Sequence, residues 1–326
     1  MRKISWFAGV AFIVVLVGLI YLINSRQAPS KSEYKVGVFQ VVRHPVLDEM
    51  AASFQRGLTS RYPEQVKFDL RISDGDAAKT EQIAQSFASG NFDLVFVIGT
   101  NQAQSLVKKT TTVPIVLGGA TDPLAAGLVD SWERPGKNVT GTSDLSPVGA
   151  QLDSLKEILP DANRVGIIYN PSEDNSKAIL AHFGRACADK NLEPVSVPVS
   201  GANELRPTLI AVVGKIDVLY APTDATVQAA FPSLIKTANE VNLPVFNCDE
   251  GTVQKGAIFS IGFNYGDLGT TSADMAAAIL DGKEKPSDMP IRLVGKSTLY
   301  FNVEQIKRFG LTVPERWQKD GKGITR

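Results

Sequence analysis

Clusters of small polar and acidic residues follow several of the short apolar runs in this chain. They combine hydroxyl, amide and carboxylate side chains with few lysines or arginines, and the candidates for ligand binding are Gln40, His44, Thr100, Asn101, Thr121, Ser172, Asn175, Thr223, Asp224, Asp249 and Glu250. Hydroxyls and the free N–H groups of a helix N-terminus suit a small carboxylate. Asp224 or Asp249 can pair with an ammonium group. The set therefore favours a zwitterion such as an amino acid over a polyphosphate, which normally needs nearby Lys or Arg.

Several of these residues have a plainer alternative role. Thr100, Ser172, Thr223, Asp224 and Asp249 are residue types that cap helices, and each stands where a predicted helix begins. Capping and ligand binding are compatible, so both interpretations stay open for each residue. Replacing Asp224 with alanine is expected to weaken binding sharply and to leave the fold intact.

Several common catalytic and nucleotide-binding motifs are absent from the sequence. It contains two histidines and two cysteines, too few for a Cys/His zinc site or a disulfide scaffold. It has no dinucleotide-binding G-x-G-x-x-G after a strand, no phosphate loop and no G-x-S-x-G nucleophile elbow. His44 is either a loop histidine or a ligand contact, and His182 is interpreted as structural. A disulfide between Cys187 and Cys248 is disfavoured. We expect no metal, no cofactor and no enzyme activity.

The elements that must position the candidates alternate between apolar runs and amphipathic stretches. Strand-like runs begin near residues 36, 67, 94 and 114, and the same plan restarts near 165, 195, 217 and 245. Helices are expected between them, one of them over Val227–Val241. Continuous apolar strands separated by helices indicate a parallel sheet covered on both faces. The sequence thus predicts an α/β protein of two similar doubly wound lobes.

Two such lobes form a hinged cleft when the carboxyl ends of their strands face each other. Ligands of open α/β sheets bind at that edge, and the candidate residues lie just after or near predicted strands. The cleft is therefore the predicted binding site.

Length and charge agree with this plan. The chain has 326 residues, and 34 Lys and Arg balance 34 Asp and Glu. About 300 residues outside the N-terminus correspond to roughly two domains. A net charge of zero argues against a nucleic-acid partner, which requires an excess of basic residues.

The N-terminus has the composition of an export segment. Arg2 and Lys3 precede an uncharged stretch that continues to Ser25. An apolar helix of about 20 residues can cross a bilayer, and the basic residues place its start in the cytoplasm. Residues 1–26 are interpreted as a signal or signal-anchor segment and 27–33 as a linker. The favoured outcome is an exported protein that residues 4–23 tether to the cytoplasmic membrane; cleavage is the alternative.

A set of short motifs in a fixed order then resembles one protein family. The motifs span almost everything from Tyr34 to Leu311 and are 36–40, 44–48, 121–123, 127–129, 138–144, 169–173, 175–176, 222–224, 249–251, 255–257 and 262–269. In this order they resemble the substrate-binding proteins of ABC transporters with the type I periplasmic-binding fold, in the group that binds tryptophan or tyrosine.

The resemblance implies a receptor that closes on a small molecule and presents it to a membrane permease. It also implies three crossings between lobes, near Ser143, Asn264 and Pro290. Lobe 1 would comprise residues 34–142 and 264–290, and lobe 2 residues 143–263 and 291–326. We expect a monomeric, non-enzymatic binding protein for an amino acid, possibly an aromatic one. The alternatives are a ligand sensor for a membrane signalling partner and, less favoured, a cleft enzyme.

Overall fold

The computed structural model describes residues 32–295 and 297–325. The expected apolar helix at residues 4–23 lies outside them. Within the described residues, no helix has the length and apolar character to span a membrane.

The described chain alternates strands and helices as the apolar pattern predicts. The strands are β1 (Tyr34–Gln40), β2 (Val66–Ile72), β3 (Leu94–Ile98), β4 (Ile115–Leu117), β5 (Val139–Ser143), β6 (Arg164–Tyr169), β7 (Glu193–Pro198), β8 (Val218–Ala221), β9 (Val245–Asn247), β10 (Phe259–Gly262), β11 (Arg292–Leu293), β12 (Thr298–Asn302) and β13 (Lys322–Ile324). The α-helices are α1 (Pro45–Arg61), α2 (Ala77–Ser89), α3 (Thr100–Val107), α4 (Val148–Ile158), α5 (Asp174–Asp189), α6 (Ala202–Ala211), α7 (Ala225–Ala229), α8 (Phe231–Glu240), α9 (Glu250–Lys255), α10 (Tyr265–Leu280), α11 (Val303–Arg308) and α12 (Glu315–Asp320).

The strands form two sheets with the same core order. One six-stranded sheet has the order β11-β5-β4-β3-β1-β2, and the other, seven-stranded, has the order β13-β12-β10-β9-β8-β6-β7. Neighbouring strands are parallel except β10 and β12, which pair antiparallel. In each lobe the first strand lies between the second and the third, so β1 lies between β2 and β3, and β6 lies between β7 and β8. This reversal of the strand order creates a topological switch point. The predicted pair of doubly wound parallel lobes is confirmed.

Aromatic residues of neighbouring strands hold the second lobe together. Tyr220 lies opposite Phe246, and Phe246 lies opposite Phe259 in the parallel register. Their rings stack with centroids 4.9 and 5.1 Å apart. All three side chains are fully buried, as expected for strands that helices cover on both faces. In the first lobe, Phe54 of α1 stacks on Phe96 of β3 at 3.9 Å.

The chain passes between the lobes in three places. The first crossing lies between β5 and α4, and the second between β10 and α10, close to the positions expected at Ser143 and Asn264. The third lies later than expected. Residues 292–293 form β11, which pairs with β5 in the first sheet, so the chain stays with that sheet for a few residues beyond the crossing predicted near Pro290. Such a two-residue edge strand carries too little apolar pattern to be recognised from sequence.

The predicted helix over Val227–Val241 is wrong as a single element. The structure has α7 and then α8, with a break at Ala230. Pro232 stands in the first turn of α8, where its missing N–H leaves no hydrogen bond unmade. Further into a continuous helix it would remove a bond to the preceding turn.

Glycines allow the closest contacts around the second crossing. A Cβ placed on Gly269 would lie 2.3 Å from the Met50 carbonyl oxygen, where α10 packs on α1. A Cβ on Gly262, at the end of β10, would lie 1.6 Å from the Cys248 carbonyl oxygen. The backbone just before Asp249 can therefore approach β10 only because residue 262 lacks a side chain.

The Gly262→Ala variant is expected to lose roughly 1–3 kcal/mol of unfolding free energy, since the backbone around Cys248 must move. The matched control is Gly184→Ala, because nothing lies within 4 Å of a Cβ at that position in α5. Alanine there should stabilise the protein by about 0.5–1 kcal/mol. Denaturant unfolding checks both values, and an unchanged stability of Gly262→Ala would contradict the close approach.

Candidate functional site

A cavity of about 750 Å³ lies between the two lobes, at the carboxyl ends of their parallel strands. Its walls come from the loops after β1, β3 and β4 on one side and after β6, β8 and β9 on the other. This is the switch-point edge where open α/β sheets bind ligands. Its volume lies within the range of small-molecule sites.

The cavity has one apolar wall, and both lobes contribute polar groups to the rest of its lining. The apolar wall comes from the segment after β1, the start of α1 and the end of β3, and comprises Val41, Val42, Val46, Leu47 and Ile98. The polar and charged residues of the first lobe include His44, Asp74, Glu81, Thr100, Asn101, Gln104, Ser105, Lys108 and Thr121. The second lobe contributes mainly amides, hydroxyls and carboxylates, comprising Asn170, Ser172, Glu173, Asp174, Asn175, Thr223, Asp224, Thr226 and Gln228. In such a cavity, the apolar part of a small molecule can contact the apolar wall while its polar end contacts the polar groups.

Most of the residues proposed from the sequence line this cavity. They are His44, Thr100, Asn101, Thr121, Ser172, Asn175, Thr223, Asp224 and Asp249. Sequence reasoning placed them near the ends of different strands, and parallel pairing carries those ends to one edge.

Gln40 and Glu250 do not line the cavity, so these two predictions are not supported. Gln40 is fully buried, and its amide donates to the Val42 carbonyl at 2.8 Å and to the Asp48 carboxylate at 2.7 Å. It therefore fixes the loop between β1 and α1. Glu250 is the exposed first residue of α9. Its neighbour Asp249 points inward as the helix cap.

The capping interpretation holds for the two aspartates. Asp224 accepts from the Val227 N–H at the start of α7, and Asp249 accepts from the Thr252 N–H at the start of α9. It does not hold for Thr100, because Gly99 occupies the N-cap position of α3.

The two other hydroxyls that the sequence suggests as helix caps, those of Ser172 and Thr223, do not cap a helix either. The Ser172 hydroxyl donates to the Asn170 side-chain oxygen at 2.7 Å. The Thr223 hydroxyl is buried without a hydrogen-bond partner among the described residues.

Asp224 has a structural role that its position in the sequence does not reveal. It is fully buried, and its carboxylate accepts from the Asn170 N–H at 2.6 Å, the Ser176 hydroxyl at 2.6 Å and the Val227 N–H at 2.8 Å. These bonds join the ends of β6 and β8 to the helices that follow. Most of its hydrogen-bonding capacity is already used inside the second lobe.

Glu173 lies beside Asp224 and is satisfied in a similar way. Its carboxylate accepts from the Ala225 N–H at 2.9 Å and from the Thr226 N–H and hydroxyl at 3.0 and 2.7 Å. Burial, followed by the negative charge of Asp224, raises the pKa of Glu173. Glu173 and Asp224 thus form part of the polar wall that the second lobe contributes to the cavity.

The floor of the cavity contains residues that were not among the sequence candidates. Asp144 lies on the first crossing and accepts from the Thr121 hydroxyl at 2.9 Å and from the Tyr265 hydroxyl at 3.3 Å. Tyr265 begins α10, directly after the second crossing. Both line the cavity together with Asp249. Asp144 follows directly after β5, so the strand-end rule could have found it.

Both floor aspartates resist ionisation. Burial raises the pKa of Asp144 to about 6, against which the hydroxyl hydrogen bonds of Thr121 and Tyr265 act only in part. Burial likewise raises the pKa of Asp249 to about 6, and its backbone N–H bonds and the charge of Lys255 oppose the rise. The cavity floor therefore carries negative charge at neutral pH at a free-energy cost.

Unpartnered polar atoms also mark the cavity. Among the described residues, no hydrogen-bond partner is present for His44 Nε2, Asn101 Oδ1, Thr223 Oγ1 or Gln228 Oε1, and each atom is buried. Buried polar atoms without partners are rare, and each implies water or a ligand. Burial and the charge of Lys255 lower the pKa of His44, so its ring is neutral at pH 7.

The lobes touch at one rim of the cavity. The Gln104 amide of α3 donates to the Asp174 carboxylate of α5 at 2.9 Å. Further along α5, His182 Nε2 lies 3.2 Å from the Asp122 carboxylate in the loop after β4. These contacts join elements of different lobes, so they depend on the angle between the lobes.

Within residues 32–295 and 297–325, no group of three or more His, Cys, Asp or Glu side chains is arranged to hold a metal ion. Cys187 is buried among core residues of the second lobe, and Cys248 is buried just after β9. The polar groups that line the cavity are hydroxyls, amides and carboxylates, together with the His44 imidazole and the Lys108 ammonium.

Comparison with known proteins agrees with this architecture. The family model described as ABC transporter substrate binding protein matches residues 35–322. A protein of Clostridioides difficile named tyrosine-binding protein is 34% identical over 287 residues, which are 87% of this chain and 83% of the relative.

Two solved structures are similar over the whole of their length. The ABC domain of Streptococcus pneumoniae in complex with L-Trp has a TM-score of 0.86 and 31% identity, covering 90% of this chain and 100% of that one. A conserved domain protein of Vibrio cholerae has the same TM-score of 0.86 and 36% identity, with the same coverage of 90% and 100%.

The Asp224→Ala variant is expected to lose about 2–4 kcal/mol of unfolding free energy, because it leaves buried N–H and hydroxyl groups without an acceptor. Asp161→Ala, at an exposed turn position, is the control and should change stability by less than about 0.5 kcal/mol. Equal stabilities of the two variants in denaturant unfolding would contradict the structural part assigned to Asp224.

The Asp144→Asn variant should differ from the wild type in the pH dependence of its stability. The ligand-free native state holds the Asp144 proton up to about pH 6, whereas an unfolded chain releases it near pH 4. The native state thus binds more protons in this window, and wild-type stability falls as pH rises through it. Because asparagine does not titrate, the variant's stability relative to wild type should rise by roughly 2 kcal/mol between pH 4 and 7. A difference that is flat with pH would contradict the raised pKa.

Proposed function

The chain belongs to the family of ABC transporter substrate-binding proteins, and on this premise we propose that it binds an aromatic amino acid in the cavity between its lobes. The members of this family bind their substrates without transforming them. The observation that carries the proposal is a cavity between the lobes that combines an apolar wall on the first lobe with polar groups from both lobes. A relative named tyrosine-binding protein and a similar structure in complex with L-Trp support the same ligand class.

The apolar wall suits the side chain of the ligand. Val41, Val42 and Val46 line it without contributing charge. An aromatic ring that leaves water for such a surface gains free energy in proportion to the apolar area buried, at about 25 cal/mol per Å². A sugar would leave its hydroxyls without partners against the same wall.

Neutral donors suit the ligand carboxylate. Thr100 and Asn101 begin α3, so the first, free N–H groups of this helix lie at its cavity end. Thr223 contributes a buried hydroxyl that has no hydrogen-bond partner within the described part of the chain. A helix N-terminus favours a carboxylate through its free N–H groups and its dipole. Thr100, Ser172, Thr223 and Asp224 remain the first proposed positions around the ligand, with Asp224 acting through the loops that it joins.

Binding would proceed by closure of the two lobes about the three crossings. The ligand contacts both lobes, so it favours the closed arrangement over an open one. The contacts of Gln104 with Asp174 and of His182 with Asp122 would form as the lobes approach. The closed protein would then be recognised by a permease in the cytoplasmic membrane, with the chain on the extracytoplasmic side, tethered through its N-terminal segment and monomeric.

Thermal unfolding of protein freed of co-purified ligand tests the proposal. L-Tryptophan or L-tyrosine at 100 times its dissociation constant should stabilise the native state by about 2.7 kcal/mol, which raises the melting temperature by at least a few degrees. Alanine, glucose and ribose are the matched controls and should leave it unchanged. Stabilisation by a sugar alone, or a flat response to all aromatic amino acids, would contradict the proposal.

A further inference from the structure

The acidic residues around the cavity differ in how their charge is compensated. Asp174 pairs with Lys177, and Glu81 pairs with Lys109. Asp224 and Glu173 are held by backbone N–H and hydroxyl donors of the second lobe, as described above. These carboxylates already have the partners that their charge requires.

The carboxylate charge of Asp144 has weaker compensation than the charges of these four residues. It is 7% exposed, and the partners of its two oxygens are the hydroxyls of Thr121 and Tyr265. Each oxygen retains capacity for a further donor. An ionised carboxylate that is buried beside neutral hydroxyls is expensive until a cation reaches it.

Asp249 is also buried at the cavity. It is 5% exposed and accepts from the Thr252 N–H at 3.1 Å, and the charge of Lys255 opposes the rise that burial causes in its pKa. The charges of both Asp144 and Asp249 act on the phenol of Tyr265, which also lines the cavity. Two buried carboxylates and one hydroxyl thus line the same cavity as the buried polar atoms of His44 and Thr223 that have no hydrogen-bond partner among the described residues.

We propose that this floor binds the ammonium group of the ligand, with the Asp144 and Asp249 carboxylates and the Tyr265 hydroxyl as its partners. The proposal rests on the proposed function, because it assumes an amino-acid ligand. Of the two aspartates that the sequence suggested for the ammonium contact, it keeps Asp249 and replaces Asp224, whose carboxylate holds the loops after β6 and β8, by Asp144. The ligand carboxylate is then directed to the neutral donors near Thr100 and Thr223, and its side chain to the apolar wall.

The placement also links recognition to closure. Asp144 lies on the first crossing, Tyr265 adjoins the second, and Asp249 belongs to the second lobe. A single ammonium group that contacts Asp144, Tyr265 and Asp249 would fix the position of the second lobe relative to the hinge. A ligand without that group lacks this contribution even when its ring and carboxylate fit.

Binding of matched ligand pairs to the full-length wild-type protein tests the proposal. L-Tryptophan is compared with indole-3-propionate, and L-tyrosine with 3-(4-hydroxyphenyl)propionate, since each second compound lacks only the ammonium group. Titration calorimetry should show that removal of this group weakens binding at least 100-fold. Because this comparison uses the wild-type protein, it decides the question even where a variant fails to fold.

Variants then assign the partners. Asp144→Asn and Asp249→Asn should each weaken binding of the amino acid at least tenfold and change binding of the matching propionate less than threefold. Asp161→Asn, at an exposed turn, should change neither value.

Three outcomes would overturn the proposal. Equal wild-type affinity for the amino acid and its propionate would remove the ammonium site and leave the proposed function standing. Equal losses for both compounds in the Asp144 and Asp249 variants would mean that these carboxylates only shape the cavity. Binding of neither amino acid would overturn the proposed function as well.

Discussion

The parallel register of the second sheet is the constraint on which the cavity depends. Tyr220, Phe246 and Phe259 lie directly opposite one another and stack, so β8, β9 and β10 keep one alignment. A slip of one residue would exchange the two faces of a strand and expose an aromatic ring. With the register fixed, the loops that begin after Ala221 and Asn247 leave the sheet at the same edge. The polar residues of these loops can then meet in one wall.

The electrostatics of the cavity follow from how much of each carboxylate the fold already uses. Backbone N–H groups at helix starts satisfy Asp224 and Glu173, and lysines outside the cavity compensate Asp174 and Glu81. Hydroxyls compensate the charge of Asp144 in part, and backbone N–H groups and Lys255 compensate that of Asp249. Under the proposed ammonium site, a ligand cation would offset the remaining cost of these buried charges and so contribute to the free energy of binding.

The exchange of chain segments makes the hinge part of the site. α10 returns to the first lobe and packs closely on α1, where Gly269 admits the Met50 carbonyl. This contact fixes the start of α10 and therefore Tyr265, which donates to Asp144 on the neighbouring crossing. Motion of one lobe against the other must change the surroundings of these two side chains. Under the proposed function, ligand recognition and closure would therefore share residues.

The sequence by itself determined the class of fold and the edge at which the site lies. Apolar runs of strand length predicted most strand starts of both lobes within about two residues, because burial on both faces is a local requirement that each strand meets in its own composition. The rule that ligands lie beyond strand ends then found His44, Thr100 and Thr223. Local patterns also explain the misses, since the two-residue β11 and the break before Pro232 leave little periodic signal.

Only the tertiary structure decided what each polar residue does. Asp224 and Asp249 have the same residue type and the same capping position, yet Asp224 is surrounded by donors from β6 and α5, whereas Asp249 faces the floor beside Tyr265. Gln40 follows the strand pattern of a cavity residue, but its amide is used by the loop after β1. The partners of a buried polar group come from distant parts of the chain. Their identity therefore depends on packing that no local pattern contains.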